Sequence, residues 1–94
     1  MATKKTKSKN PIAVGNAVLV RAVTLYYTGR IVEITKDEIV IDDACWIADT
    51  GRFEIALRTG VVNECEPFID PVAVGRGAIV DVTLWKHALP RTVK

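Results

Sequence analysis

The chain has 94 residues, 49% of them hydrophobic and 26% charged, with 13 Lys and Arg against 11 Asp and Glu. That length allows one domain with a thin core, burying about 60–65% of the unfolded surface, and that apolar fraction excludes a wholly disordered chain. Lys4, Lys5, Lys7 and Lys9 leave nine basic against 11 acidic residues elsewhere, which excludes a body built as a general phosphate-backbone binder, because such surfaces cluster many Lys and Arg.

Residues 1–10 are polar, basic and without periodicity. They read as a disordered tail, dispensable for folding, ahead of a single domain at 11–94. There is no signal-peptide core and no apolar run of membrane-spanning length. Cys45 and Cys65 lie in apolar surroundings, which suits reduced, buried thiols and a cytoplasmic chain with no membrane partner.

Residues 17–23 read as a strand with both faces partly apolar, and residues 25–35 follow as a second. Gly29 inside that second run marks a bulge or sharp bend. A polar turn at 35–38 between two β-branched runs signals a hairpin, so a third strand spans 38–47. The alternation then stops. Asp49 or Thr50 is suited to cap a helix. Phe53, Ala56 and Leu57 form one apolar stripe, and Gly60 ends it. The expected helix covers 51–59, docked on the sheet with Phe53 as a core ring whose loss would unfold the domain.

Residues 61–69 return in extended form, kept from a central position by Pro67 and Pro71. The last strands fall between 72 and 84, interrupted by a turn or bulge at Gly75-Arg76-Gly77. A final helical turn is expected at 85–89, and the basic end at 91–94 is expected to trail off. This pattern suits a mainly β fold: a small, strongly bent antiparallel β-barrel of SH3-like or Sm-like type, with one short helix inserted between the middle strands. An OB-like barrel is the alternative.

Motifs for catalysis or cofactors are not found. His87, the single histidine, has no nucleophile in a recognisable context and reads as an exposed residue. Cys45, Cys65 and His87 lack zinc-site spacing. Asp42 and Asp43 point to opposite faces of a strand, a poor start for a metal site. The reading is therefore of a non-enzyme without metal or cofactor. Residues 44–60 carry the densest set of recognition chemistry. Trp46 sits where a strand leaves the sheet. Arg52 follows Thr50-Gly51 at the expected helix start, where free N–H groups and a guanidinium together suit a phosphate. Asp49 and Thr50 offer hydrogen bonds to a base edge or sugar. Tyr26 and Arg30, on one face of the second strand, are expected across the pocket. The expected ligand site is thus Trp46, Asp49, Thr50, Arg52, Tyr26 and Arg30, at a place where subunits meet. The apolar character of both faces of 17–23 and of 79–82 points to a homo-oligomer.

The run from Val20 to Thr24, Tyr26-Tyr27, Gly29-Arg30, Asp43-Ala44, the string from Trp46 to Phe53 and the stretch from Glu64 to Phe68 together resemble a group of small tailed-phage proteins, over residues 16–90. The layout is also similar, more loosely, to viral sponge proteins that sequester the cyclic-nucleotide signals of the bacterial CBASS and Thoeris defences. That second resemblance implies an oligomer in the host cytoplasm that binds a cyclic nucleotide without turning it over. Two other readings stay open: a capsid- or virion-associated assembly protein, and an Sm-like or OB-like nucleic-acid binder, which the acidic body disfavours.

Overall fold

The computed structural model describes residues 10–94, so the expected basic tail lies outside the described residues except for Asn10. The elements run β1 (Ala17–Ala22), β2 (Tyr26–Ile34), β3 (Glu38–Asp49), α1 (Phe53–Thr59), β4 (Glu64–Pro67), β5 (Val72–Gly75), a 3-10 turn (Arg76–Ala78) and β6 (Ile79–Leu84). The strands form one antiparallel sheet in the order β4-β3-β2-β1-β6, with β5 also on β3. The fold is mainly β with a single helix between the third and fourth strands, as expected. Among the described residues no ladder joins β6 to β4 or β5, so the pairing does not close into a barrel. No helix of the described residues is long and apolar enough to cross a membrane.

β3 serves two partners. Its first part, Glu38 to Ile41, pairs with β5, and its last part, Cys45 to Asp49, pairs with β4. The change comes at Asp43, whose φ of 49° is left-handed, a conformation that Asp tolerates better than most residues. The β2–β3 register shifts at the same place, between Thr28 and Arg30. Gly29 is the residue opposite, and a Cβ there would stand 3.0 Å from the Ile41 side chain. The bulge expected from Gly29 is therefore present, and the glycine is needed for close approach. The β2–β3 turn is held by the Thr35 hydroxyl, which accepts from the N–H groups of Asp37 and Glu38.

The bent sheet has two cores. The first contains Val18, Val20, Ala22, Ile31, Ile39, Ile41, Ala44 and Val74. The second, on the opposite face, contains Leu19, Cys45, Ile47, Ala56, Val62, Cys65 and Trp85, with Tyr26, Phe53, Leu57 and Leu89 at its margin. Both faces of β1 are thus buried within one chain. Of the apolar second face of 17–23, taken above as a sign of a subunit contact, Ala17 and Leu19 pack in the second core with Ala56 of α1 and Trp85, while Val23 is 62% exposed.

Two local expectations are corrected. α1 begins at Phe53, and its N-cap Arg52 makes no side-chain cap bond; Gly60 closes it in the left-handed conformation, as expected. The turn or bulge expected at Gly75-Arg76-Gly77 is a 3-10 turn over Arg76–Ala78. The C-terminal end neither coils nor trails off. The Lys94 N–H and C=O exchange bonds with Cys65 at 2.9 Å each. Arg91 donates to the carbonyls of Ala44 and Phe68. Residues 85–94 therefore form a strap along the outer edge of β4, anchored by the buried Trp85, whose indole N–H donates to the Ala88 carbonyl. His87 is half-buried: its Nε2 lies 2.7 Å from the Leu57 carbonyl, to which it donates, so it satisfies an end carbonyl of α1.

Candidate functional site

Trp46 lies near the end of β3, half-buried, with Tyr27 opposite on β2 and Glu66 opposite on β4. Two hollows meet at it. The larger, about 290 Å³, is lined by Thr24, Leu25 and Tyr26 from the β1–β2 turn and by Trp46, Ile47, Ala48, Asp49 and Thr50. The smaller, about 150 Å³, is lined by Trp46, Glu66, Pro67 and Phe68. The β1–β2 turn that walls the larger one is closed by Ala22 and Leu25, which exchange backbone bonds. It holds Thr24 at a φ of 70°, a costly conformation for a β-branched residue.

Of the six expected site residues, Tyr26, Trp46, Asp49 and Thr50 line the larger hollow. The register adds a correction. Tyr26 pairs with Ile47 and meets Phe53 edge-on at 6.3 Å, so its ring belongs to the second-core face. The ring beside Trp46 on its own face is that of Tyr27, which also approaches Phe68 at 6.0 Å.

Asp49 and Thr50 do not cap α1. The Asp49 carboxylate accepts from the Gly51 N–H at 2.8 Å and from the Asn63 side-chain amide at 3.4 Å, while its backbone carbonyl accepts from the Asn63 N–H. The Thr50 hydroxyl donates to the Gly51 carbonyl. Gly51 has a φ of 69°, and a Cβ there would meet the Asn63 side chain at 3.0 Å. This loop is therefore held in shape before any ligand arrives, with the carboxylate as its central acceptor.

Arg30 does not reach the hollow. It lies four residues along β2 from Tyr26, roughly 13 Å at strand rise, and donates to Asp43 at 2.6 Å. Its role is to neutralise the bulge carboxylate, and that hydrogen bond holds the Asp43 carboxyl below its ordinary range. Arg52 is exposed and makes no side-chain hydrogen bond or ion pair with the described residues. Glu54, a possible partner, instead pairs with Arg58. A seven-residue helix supplies too little aligned backbone for the helix-start part of the phosphate argument. What remains is the guanidinium itself. Among the described residues, the only charged side chain lining the larger hollow is Asp49.

Neither thiol is presented as a nucleophile. Cys45 is fully buried, and burial, followed by the neighbouring Cys65 thiol, pushes it up to about 12. Both cysteines are free. They occupy diagonal positions on β3 and β4, since Cys45 faces Pro67 and Cys65 faces Ile47; diagonal spacing of about 7–8 Å is too long for a disulfide.

Sequence reasoning missed Tyr27, Glu66, Pro67, Phe68 and the β1–β2 turn as parts of this surface. The aromatic residues were visible as a class, but only the β2–β3 register decides which tyrosine stands beside Trp46. Comparison of the chain with family models, with curated proteins and with solved structures finds no match in any of the three.

Proposed function

We propose that this chain is a non-catalytic binding module, laid out like a small SH3-like or Sm-like barrel that the described strand pairing leaves open, and that it sequesters a nucleotide on the surface around Trp46. The observation that carries the reading is the half-exposed indole between two hollows, beside a preset loop whose Asp49 and Thr50 offer hydrogen-bonding groups. A base stacks on such a ring with about 1–3 kcal/mol. Arg52, uncommitted next to that loop, is the cation for a phosphate. One hollow of about 290 Å³ suits a single base, so a cyclic oligonucleotide would span more than one chain. The resemblances to tailed-phage and sponge proteins point the same way: an oligomer in the host cytoplasm that holds an immune signal without converting it.

Calorimetry of the full chain against cyclic di- and trinucleotides and ADP-ribose derivatives tests this. Trp46→Ala and Arg52→Ala are each expected to weaken binding, Arg52→Ala by roughly 1.5–3 kcal/mol, the range for hydrogen bonds to charged groups. Trp46 fluorescence gives a second readout, because the other tryptophan, Trp85, is buried. No binding of any probe would favour the second reading, a capsid- or virion-associated assembly protein. That reading is supported by the tip between β4 and β5, where Phe68 is exposed and Ile69 is 96% exposed, an apolar projection suited to a protein partner.

A further inference from the structure

The side-chain hydrogens of the loop that walls the larger hollow are used within the loop itself. The Thr50 hydroxyl donates to the Gly51 carbonyl at 2.8 Å. The Asn63 side-chain amide donates to the Asp49 carboxylate at 3.4 Å, and the Gly51 N–H donates to the other oxygen of the same carboxylate at 2.8 Å. What Asp49 and Thr50 have left is lone pairs. A carboxylate has about four acceptor sites and no donor, so with one protein donor on each oxygen Asp49 keeps about half of them. The Thr50 oxygen, its hydrogen committed, can only accept. Both residues line the hollow, as do Thr24 and Tyr26. The hydroxyls of Thr24 and Tyr26 can turn either way, so Asp49 and Thr50 set the fixed preference. The register partner of Asp49 on β4 is Glu64, which supplies no donor either. The smaller hollow on the other side of the indole repeats the sign, since its one charged side chain among the described residues is Glu66.

We infer that the larger hollow selects guanine among the bases, with Asp49 as the residue that sets the choice. The inference rests on the nucleotide reading above and names the base that the site holds. A base stacked on Trp46 turns its polar edge to Asp49 and Thr50. Guanine carries two adjacent donors there, N1–H and the N2 amino group, which match two acceptors side by side. Adenine sets the N1 lone pair beside its amino group, and cytosine sets the N3 lone pair beside its own. Uracil flanks a single N–H with two carbonyls. Each of these three brings a lone pair against the carboxylate. An acceptor left facing an acceptor costs more than the missing bond alone, because its desolvation is not repaid. Guanine supplies the donors without a positive charge, so it can belong to a ligand whose net charge is negative. The phosphate of that ligand lies outside both hollows, toward Arg52, because neither hollow is lined by a cation among the described residues.

Calorimetry of the full chain with three cyclic dinucleotides that differ only in the base tests this: guanine, hypoxanthine (guanine without its N2 amino group) and adenine. The guanine ligand is expected to bind about tenfold more tightly than the hypoxanthine ligand, the effect of one hydrogen bond to a charged group, and the adenine ligand is expected to bind more weakly still. Asp49→Asn keeps an oxygen for the Gly51 N–H and sets an amide donor beside it. An amide pairs with a donor and acceptor side by side, as it does with N6 and N7 of adenine. The variant is therefore expected to reverse the order and bind the adenine ligand more tightly than the guanine ligand. A merely loosened loop would weaken all three together and could not reverse their order. Wild type that binds guanine and hypoxanthine ligands equally, or adenine as tightly as guanine, overturns the base assignment and leaves the nucleotide reading standing. An Asp49→Asn variant that still prefers guanine overturns the assignment as well. Wild type that binds none of the three removes the nucleotide reading and the assignment together.

Discussion

The two cores of this small sheet are built by different means. The buried residues of the first are all aliphatic, drawn from β1, β2, β3 and β5, so it forms from strand side chains alone. The second needs α1, the α1–β4 connection and the strap to pack onto the other face of the sheet. It also carries polar groups that must be satisfied one at a time. The Trp85 indole has the Ala88 carbonyl and His87 has the Leu57 carbonyl. Thr28, fully buried and paired in register with Leu19 and Cys45, has a hydroxyl with no partner among the described residues. The comparison teaches that the strand-only core is held by burial alone, whereas the other depends on particular polar contacts to its cover.

The largest test of that contrast is Trp85→Ala. Removing a ring that is 3% exposed is expected to cost about 3–5 kcal/mol, read as a fall in the urea midpoint or as loss of folding. Phe53→Ala, which the apolar stripe made a core deletion, is expected to cost only about 1–2 kcal/mol. Phe53 is half-buried at the margin of that core, under the Arg21 guanidinium at 5.2 Å, and a partly exposed side chain returns only part of its transfer energy. Equal costs for the two would mean that the strap does not anchor the second core.

Arg91→Ala comes next. It removes two hydrogen bonds from a guanidinium to the Ala44 and Phe68 carbonyls and is expected to cost about 1.5 kcal/mol, the low end for charged groups because Arg91 is exposed. Hydrogen exchange should show the loss first at the Cys65 and Lys94 amides. Thr28→Val runs the other way. It removes a buried, unpaired hydroxyl at nearly constant shape and is expected to stabilise by about 1 kcal/mol; a destabilised variant would show that the hydroxyl has a partner.

The smallest effect at neutral pH concerns Cys45. Its folded thiol titrates at about 12 against an ordinary value of 9.0, so the folded state holds its proton more tightly than the unfolded state. The sign follows from linkage. The stabilisation is fully present below the ordinary value and is lost as pH rises through the interval toward about 12. Wild type is expected to lose stability more steeply than Cys45→Ala across that interval, with parallel curves below it. Curves parallel throughout would mean that the thiol is not buried.

The strands of the first core were readable because their alternation repeats every two residues. Ile31, Ile39, Ile41 and Val18 could be placed on strands before any fold was known, and Gly29 announced the bulge. The hairpin at 35–38 and the Gly60 cap were legible from local chemistry alone. Of the site, Trp46, Asp49 and Thr50 were legible because they cluster in one non-periodic segment. Tyr27 was not, since Tyr26 and Tyr27 are adjacent and only the pairing of β2 with β3 tells which stands beside the indole.

From its sequence alone, this chain determined a mainly β fold, the positions of its turns and helix, and a cluster of recognition chemistry around Trp46, because each is set by residues within a few positions of one another. Tertiary structure alone decided that 85–94 is a strap, that His87 closes a helix, that Arg30 serves the Asp43 bulge and that both faces of β1 are buried inside one chain. Those outcomes join residues tens of positions apart, as Cys65 joins Lys94 and Ala44 joins Arg91. No local period records such a contact; it exists only once the sheet has formed and the face of its second core needs a cover.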